Sequence, residues 1–183
     1  EKYDRLLNRK PYRPGQHGQS RRRRPSNYGI QLHEKQKIKI MYGLLEKQFK
    51  AYFAKAEKMK GETGTNLMQL LERRLDNVVY RLSFASTRSQ ARQLVNHAHF
   101  LVNNRKVNIP SYLVKAGDKI KVRDRSKKLD VLLDSVRLIK GDLDLPWLEL
   151  DKAKLTGTYI DIPAREDMGV IANEQLIVEL YSK

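Results

Sequence analysis

The feature that most constrains this chain is the uneven distribution of its charge. Residues 1–60 carry 17 basic and 5 acidic side chains, residues 61–128 carry 14 and 5, and residues 129–183 carry 6 and 11. The formal net charge of +16 therefore comes entirely from the first two thirds of the chain. So much positive charge repels itself, and binding a nucleic acid relieves that repulsion and releases counterions from the phosphates. We predict a nucleic-acid partner along residues 1–128, with a merely solubilising basic surface as the alternative.

The composition argues against several other classes of protein. The sequence has no cysteine, which excludes disulfides, thiolate metal ligands and cysteine nucleophiles within it. His97 and His99 have no third histidine near them, so we predict no metal site and no cofactor. No apolar run approaches the roughly 18 residues of a membrane span, so no membrane contact is expected. Because no phosphate-binding P-loop and no nucleophile elbow are present, we predict neither an enzyme nor a small-molecule substrate.

Residues 1–30 are predicted to form an extended basic arm. Prolines and glycines interrupt this segment, and it has too little apolar surface to fold alone. Guanidinium groups stay charged and donate paired hydrogen bonds to phosphates, so we expect the arm to become ordered on a polyanion. A nuclear-localisation signal or a solvated charge run is the alternative. The candidate RNA ligands of the arm are Arg13, His17, Arg21, Arg22, Arg23, Arg24 and Tyr28.

The 3.6-residue spacing of apolar side chains predicts three helices after the arm. The first runs from about Gln31 to a break at Gly43, and the second ends at Gly61. The third begins at Thr65, whose hydroxyl can cap it, and its apolar stripe continues to Leu82. The candidate RNA ligands in this part are Lys35, Lys37, Lys39, Lys47, Lys50, Arg73 and Arg81.

A shorter helix is predicted over residues 86–97, with Thr87 and Gln90 forming a capping box. Arg88 and Arg92 lie four residues apart and therefore share its polar face. Free amides and hydroxyl groups at its N-terminus can hold a phosphate. The alternative is an ordinary amphipathic helix whose polar face only meets water. The candidate RNA ligands of this helix are Ser86, Thr87, Arg88, Arg92, Gln93, Asn96 and His97.

Strand chemistry follows this helix. Asn103-Asn104 predicts a turn between two strands, and Asn104 and Arg105 are further candidate RNA ligands, with a solvated turn as the alternative. The apolar pattern of the later strands and of one helix is less regular. After Asn173, a capped helix and a buried strand suit the pattern equally well. The predicted strands are 100–102, 107–109, 112–114, 119–122, 147–150 and 158–162, and the predicted helix is 129–139.

Several motifs together resemble one protein family. RLDNVVYRL at residues 74–82 and STRSQARQLV at 86–95 resemble the RNA-binding motif of bacterial-type ribosomal small-subunit protein four. The similarity covers nearly the whole chain. The other matching segments are PGQHGQ at 14–19, EKQK at 34–37, PWL at 146–148 and NEQLIVELYS at 173–182.

The resemblance implies an α+β fold. A helical domain is built from both chain ends, and an inserted RNA-binding domain packs helices on a small antiparallel sheet. The implied boundaries are 1–30 for the extended basic N-terminal arm, 31–71 for the first part of the helical domain, 72–151 for the insertion and 152–183 for the C-terminal segment that returns to the helical domain.

The resemblance also implies a function. Members of this family bind the 5′ domain of small-subunit (16S-type) rRNA, nucleate its assembly, contact ribosomal small-subunit protein five and lie near the channel by which mRNA enters, where they influence translational accuracy. We therefore expect a structural protein of the small ribosomal subunit in the cytoplasm, with an organellar ribosome as the alternative. Two rivals stay open, namely an RNA-modifying enzyme with the same motif and a DNA-binding architectural protein.

Overall fold

The computed structural model describes residues 8–12, 15–19, 24–137 and 145–182. In these residues the chain forms seven α-helices and one five-stranded antiparallel sheet, which confirms the predicted α+β class. The helices are α1 Asn27–Met41, α2 Glu46–Glu57, α3 Thr63–Glu72, α4 Leu75–Arg81, α5 Arg88–Asn96, α6 Asp130–Arg137 and α7 Glu174–Tyr181. The strands are β1 Phe100–Val102, β2 Arg105–Lys106, β3 Lys119–Val122, β4 Leu148–Asp151 and β5 Thr156–Tyr159, in the spatial order β2-β1-β3-β5-β4.

One hydrophobic core joins both ends of the chain. Helices α1, α2 and α3 pack with α7, and the ring of Phe53 stacks on that of Tyr181 with centroids 4.5 Å apart. The side chain of Asn173 accepts hydrogen bonds from the amides of Gln175 and Leu176, so the final segment is a capped helix rather than a strand. The prediction of a helical domain built from both ends is confirmed.

A second core lies between α4, α5, α6 and the sheet. Its centre includes Leu82, Phe84 and Phe100, each fully buried. A β-carbon on Gly157 would lie 2.4 Å from a methyl group of Leu82, so a larger residue in β5 would force this buried side chain to shift. The sheet continues to Tyr159, beyond residue 151, the predicted end of the insertion.

The predicted single helix through Leu82 is wrong, because it breaks at Arg73 and Arg74. Arg74 has an extended backbone and forms a β-bridge with Leu113. The amide of Leu75 donates to the carbonyl of Tyr112 at 2.8 Å, and α4 then starts. Thr65 does not cap α3, which begins at Thr63. The apolar stripe continues across the break, so periodicity alone could not reveal it.

Other boundaries also differ from the prediction. Helix α1 starts at Asn27, inside the predicted arm, because the hydroxyl of Ser26 accepts from the amide of Gly29 at 3.2 Å. The predicted strand 107–109 is wrong, since the strand after the turn is Arg105–Lys106. The predicted strand 112–114 is reduced to the single bridge at Leu113. The predicted helix break at Gly141 lies outside the described residues.

Candidate nucleic-acid interface

Helix α5 presents the polar face that its sequence predicts. The hydroxyl of Thr87 accepts from the amide of Gln90 at 3.2 Å, and the Gln90 side chain accepts from the amide of Ser86 at 2.7 Å. This reciprocal cap fixes the start of α5. The apolar side chains of α5 pack in the second core. Five candidate ligands stay exposed around the helix, namely Ser86, Thr87, Gln93, Asn96 and His97.

Arg88, the first residue of α5, already has partners inside the protein. Its Nε donates to Oδ1 of Asn77 at 2.9 Å. Its guanidinium carbon lies 4.5 Å from the ring centroid of Tyr80 and 5.0 Å from that of Tyr42. Arg88 therefore joins α5 to α4 and to the end of α1, and the side chain is only half-buried.

Arg92, one turn later, also points toward the helical core. Its Nη1 donates to the carbonyl of Gly43 at 3.3 Å and lies 3.9 Å from a carboxylate oxygen of Asp76. A guanidinium group has five donors, so these contacts leave others available for a phosphate. The two arginines predicted as phosphate ligands thus also bridge the two cores.

The buried carboxylate of Glu72 lies at the centre of this bridge. It accepts from the Tyr42 hydroxyl at 2.5 Å, from the Asn77 amide at 2.6 Å and from two nitrogens of Arg81 at 3.0 and 2.7 Å. Arg81 also donates to the carbonyl of Met168 at 2.7 Å. Tyr42 and Met168 belong to the helical core and Arg81 to α4, so one carboxylate links both cores. We call Tyr42, Glu72, Asn77, Arg81 and Arg88 the Glu72 network.

Burial and the neighbouring groups shift the pKa values of two members of the Glu72 network, Tyr42 and Arg81. Burial raises the pKa of Tyr42 far above its ordinary value, and the negative charge of Glu72 adds to this effect. Burial alone would lower the pKa of Arg81, but the hydrogen bonds and charge of Glu72 outweigh it and raise that pKa. Arg81 thus stays charged in the folded protein, and the Tyr42 hydroxyl stays a neutral donor.

A second buried ion pair lies beside the network. Arg74 is 1% exposed and donates to both carboxylate oxygens of Asp76, at 3.0 and 2.6 Å, and to the hydroxyl of Tyr52 at 2.8 Å. Sequence reasoning did not select Arg74, Glu72 or Asn77 as functional. The signal was present, because charged residues interrupt an otherwise apolar stripe, and buried charges require partners.

Three of the five lysines predicted as ligands in the helical domain form ion pairs. Lys35 and Lys39 both donate to Glu46, at 2.5 and 3.0 Å, and the bond from Lys35 is the main cause that lowers the pKa of this carboxyl. Lys37 pairs with Glu34 at 2.7 Å. Lys47 and Lys50 are exposed on α2. We call Lys47 and Lys50 the α2 basic face.

The remaining predicted ligands are spread over three places. Arg73 is half-buried, and its Nε donates to the carbonyl of Val114 at 3.0 Å. Asn104 and Arg105 are exposed at the β1–β2 turn, where both turn asparagines have positive φ, 49° and 63°. His17, Arg24 and Tyr28 are exposed in the described part of the predicted arm. Arg13, Arg21, Arg22 and Arg23 lie outside the described residues.

Comparison with known families matches two consecutive segments of this chain. Residues 1–72 match the model described as "Ribosomal protein S4/S9 N-terminal domain", and residues 73–120 match the one described as "S4 domain". The protein named "Small ribosomal subunit protein uS4" from Syntrophobacter fumaroxidans is 55% identical over 177 residues, covering 97% of this chain and 85% of the relative. The chain belongs to the uS4 family of small ribosomal subunit proteins.

Two further relatives support this assignment. The uS4 protein from Chlorobaculum tepidum is 53% identical over 182 residues, covering 100% of this chain and 90% of the relative. The uS4 protein from Hahella chejuensis is 57% identical over 170 residues, covering 93% and 82%. Members of the uS4 family are structural components of the ribosome, so this uS4 chain is not an enzyme.

Among the described residues of this uS4 chain, no group of three or more histidine, aspartate or glutamate side chains is arranged to hold a metal ion. None of the helices in that part of the chain is both long and apolar enough to cross a membrane.

Proposed function

We propose that this protein binds the 5′ domain of small-subunit rRNA and does so through two separate surfaces. One surface is the α2 basic face. The other comprises the exposed polar residues of α5 and the β1–β2 turn, which we call the α5 face. The observation that carries the proposal is the Glu72 network, because it holds the two domains that bear these surfaces in one fixed arrangement.

Fixed spacing provides a physical basis for selecting one folded RNA. Side chains cannot reach base edges in the deep major groove of A-form RNA, so proteins recognise its helices mainly by shape and backbone. Two surfaces that bind together gain affinity only when the RNA presents both sets of phosphates at the matching separation. A rigid junction of RNA helices meets that requirement, and an unfolded RNA of equal length does not.

The membership of the uS4 family supports the finer roles that we include in the proposal. These are nucleation of 5′-domain assembly, a contact with ribosomal small-subunit protein five, and a position near incoming mRNA that affects translational accuracy. We place the protein in cytoplasmic ribosomes. The acidic last third, with 11 acidic and 6 basic side chains, suits a basic protein neighbour better than RNA.

Competition binding tests the proposed function. Labelled folded 5′-domain rRNA is displaced by unlabelled folded domain, by unfolded RNA of the same length and by duplex DNA, at low and near-physiological salt. We expect only the folded domain to compete strongly at both salt concentrations. Equal competition by all three, fading together as salt rises, would instead show a non-specific binder of polyanions.

A further inference from the structure

Two histidines and two arginines gather just beyond the C-terminal end of α5. The rings of His97 and His99 have centroids 6.0 Å apart. The Nη1 of Arg123 donates to the carbonyl of Ala98, between the two histidines, at 3.1 Å, and the backbone amide of Arg123 donates to the carbonyl of His99 at 2.9 Å. Arg125 follows in a short 3₁₀ turn, Asp124–Ser126. Of the four side chains, only His97 was selected from the sequence.

The positive charges in this cluster act on one another. Burial lowers the pKa of His99, and the charges of His97, Arg125 and Arg123 lower it further. All the charged groups that shift this pKa are therefore cationic. The nearby carboxylate of Asp124 is directed to another partner, since it forms an ion pair with Lys127 at 2.8 Å.

The end of α5 does not neutralise this charge. A helix C-terminus carries a partial negative charge of about half an elementary charge, and it acts only over the last turn. Arg123 and Arg125 alone contribute two full positive charges, because guanidinium groups do not lose their proton in proteins. The cluster thus keeps an excess of positive charge that a bound anion would relieve.

Two of the four side chains, His99 and Arg123, are also held in place. The ring of His99 is fixed by a 2.9 Å hydrogen bond between Nδ1 and the buried hydroxyl of Ser126. Arg123 is anchored by its bond to Ala98. His97 and Arg125 are exposed and can reach a ligand on the surface. Preorganised donors lose little conformational freedom when they bind.

We propose that His97, His99, Arg123 and Arg125 form an additional binding site for the rRNA phosphate backbone. This site rests on the proposed function and extends the α5 face past the end of its helix onto the 3₁₀ turn. Its predicted role is to position the RNA rather than to read its sequence, because phosphate contacts carry no base information.

The test compares Arg125→Gln with Arg137→Gln in binding to folded 5′-domain rRNA over a series of salt concentrations. Arg125 is the better target because Arg123 also supports the backbone at Ala98. Arg137 is a matched control, since it is exposed on α6 and pairs only weakly with Asp134 at 3.4 Å. Circular dichroism and thermal unfolding verify that both variants fold as the wild type does.

We expect Arg125→Gln to weaken binding about three- to tenfold and to lower the slope of log affinity against log salt by about 1. Arg137→Gln should have the same RNA affinity and the same salt slope as the wild type. Equal binding by the two variants, with the wild type still selecting folded rRNA, overturns this site and leaves the proposed function intact. Failure of the wild type to select folded rRNA overturns the proposed function and this site with it.

Discussion

Arg88 donates a 2.9 Å hydrogen bond from Nε to Oδ1 of Asn77, in the position where its sequence predicts a contact with phosphate. Asn77 in turn donates to Glu72 at 2.6 Å. The arginine is therefore part of the contact between the two domains, and it orients the faces that bind RNA. Its remaining donors can still reach a phosphate, so both roles are open to a direct test.

Arg88→Gln separates these two roles. We expect the variant to bind folded rRNA about tenfold more weakly with an unchanged salt slope, because the contacts that it loses are with Asn77, Tyr80 and Tyr42 rather than with a phosphate. Binding to unfolded RNA should hardly change. The measurement is affinity against salt for both RNAs, and the exposed Lys50→Gln is the control that lowers the slope. A slope lowered by about 1 in Arg88→Gln would show that its main partner is a phosphate.

Glu72→Gln should be strongly destabilising. The substitution leaves Arg81 next to a neutral amide in a buried site, and removing one partner of a buried ion pair costs about 3 kcal/mol. Urea unfolding followed by circular dichroism measures the loss. Glu149→Gln, at an exposed position on β4, is the matched control and should change the free energy of unfolding by less than about 0.5 kcal/mol. A similar small effect at Glu72 would contradict the assigned role of this carboxylate.

Tyr159→Phe is expected to leave stability unchanged or to increase it by about 1 kcal/mol. Within the described residues, the Tyr159 hydroxyl is the one buried side-chain polar atom without a hydrogen-bond partner. Burying such a group without a partner has a desolvation cost, which phenylalanine avoids while it fills nearly the same volume. Thermal and urea unfolding of the two proteins test this directly. A clear loss of stability would mean that the hydroxyl has a partner in solution, such as a bound water.

Tyr181 should make stability depend on pH in the alkaline range. Burial, followed by the charge of Glu46, raises the pKa of Tyr181 to about 12, above the value of about 10 in an unfolded chain. A raised pKa stabilises the folded state fully below pH 10, and this contribution is lost as the pH rises from 10 to 12. Between pH 10 and pH 12, the free energy of unfolding of the wild type should therefore fall relative to that of Tyr181→Phe. The exposed Tyr28→Phe is the control, and an equal shift there would contradict the assignment.

The start of α5 could be predicted because neighbouring residues set it, whereas the pattern at α7 suits a capped helix and a buried strand equally well. Thr87 with Gln90, and Asn173 with Gln175, form their caps within a few positions of the chain. Such local hydrogen bonds act in any fold, so the capping-box pattern was sufficient for α5. For α7, the packing of the final segment on α1 and α3 decides in favour of the helix.

The break between α3 and α4 could not be predicted because its cause lies far along the chain. The backbone of Arg74 and Leu75 pairs with Leu113 and Tyr112, and no local residue signals that pairing. The same holds for the interface. Arg88 was selected for its charge and spacing, but its orientation depends on Tyr42, which only the packing of the two cores brings beside it. Sequence patterns identify which residues are basic, and tertiary contacts decide which of them face solvent.

Simultaneous binding of one folded RNA by the α2 basic face and the α5 face is what we propose for this protein. The most direct measurement is the salt dependence of binding to folded 5′-domain rRNA for Lys47→Gln with Lys50→Gln, for Asn104→Ala with Arg105→Gln, and for all four changes together. We predict that each pair of substitutions weakens binding and lowers the salt slope, and that the combined variant adds the two losses. If either pair of substitutions left both the RNA affinity and the salt slope unchanged, simultaneous binding by both faces would be contradicted.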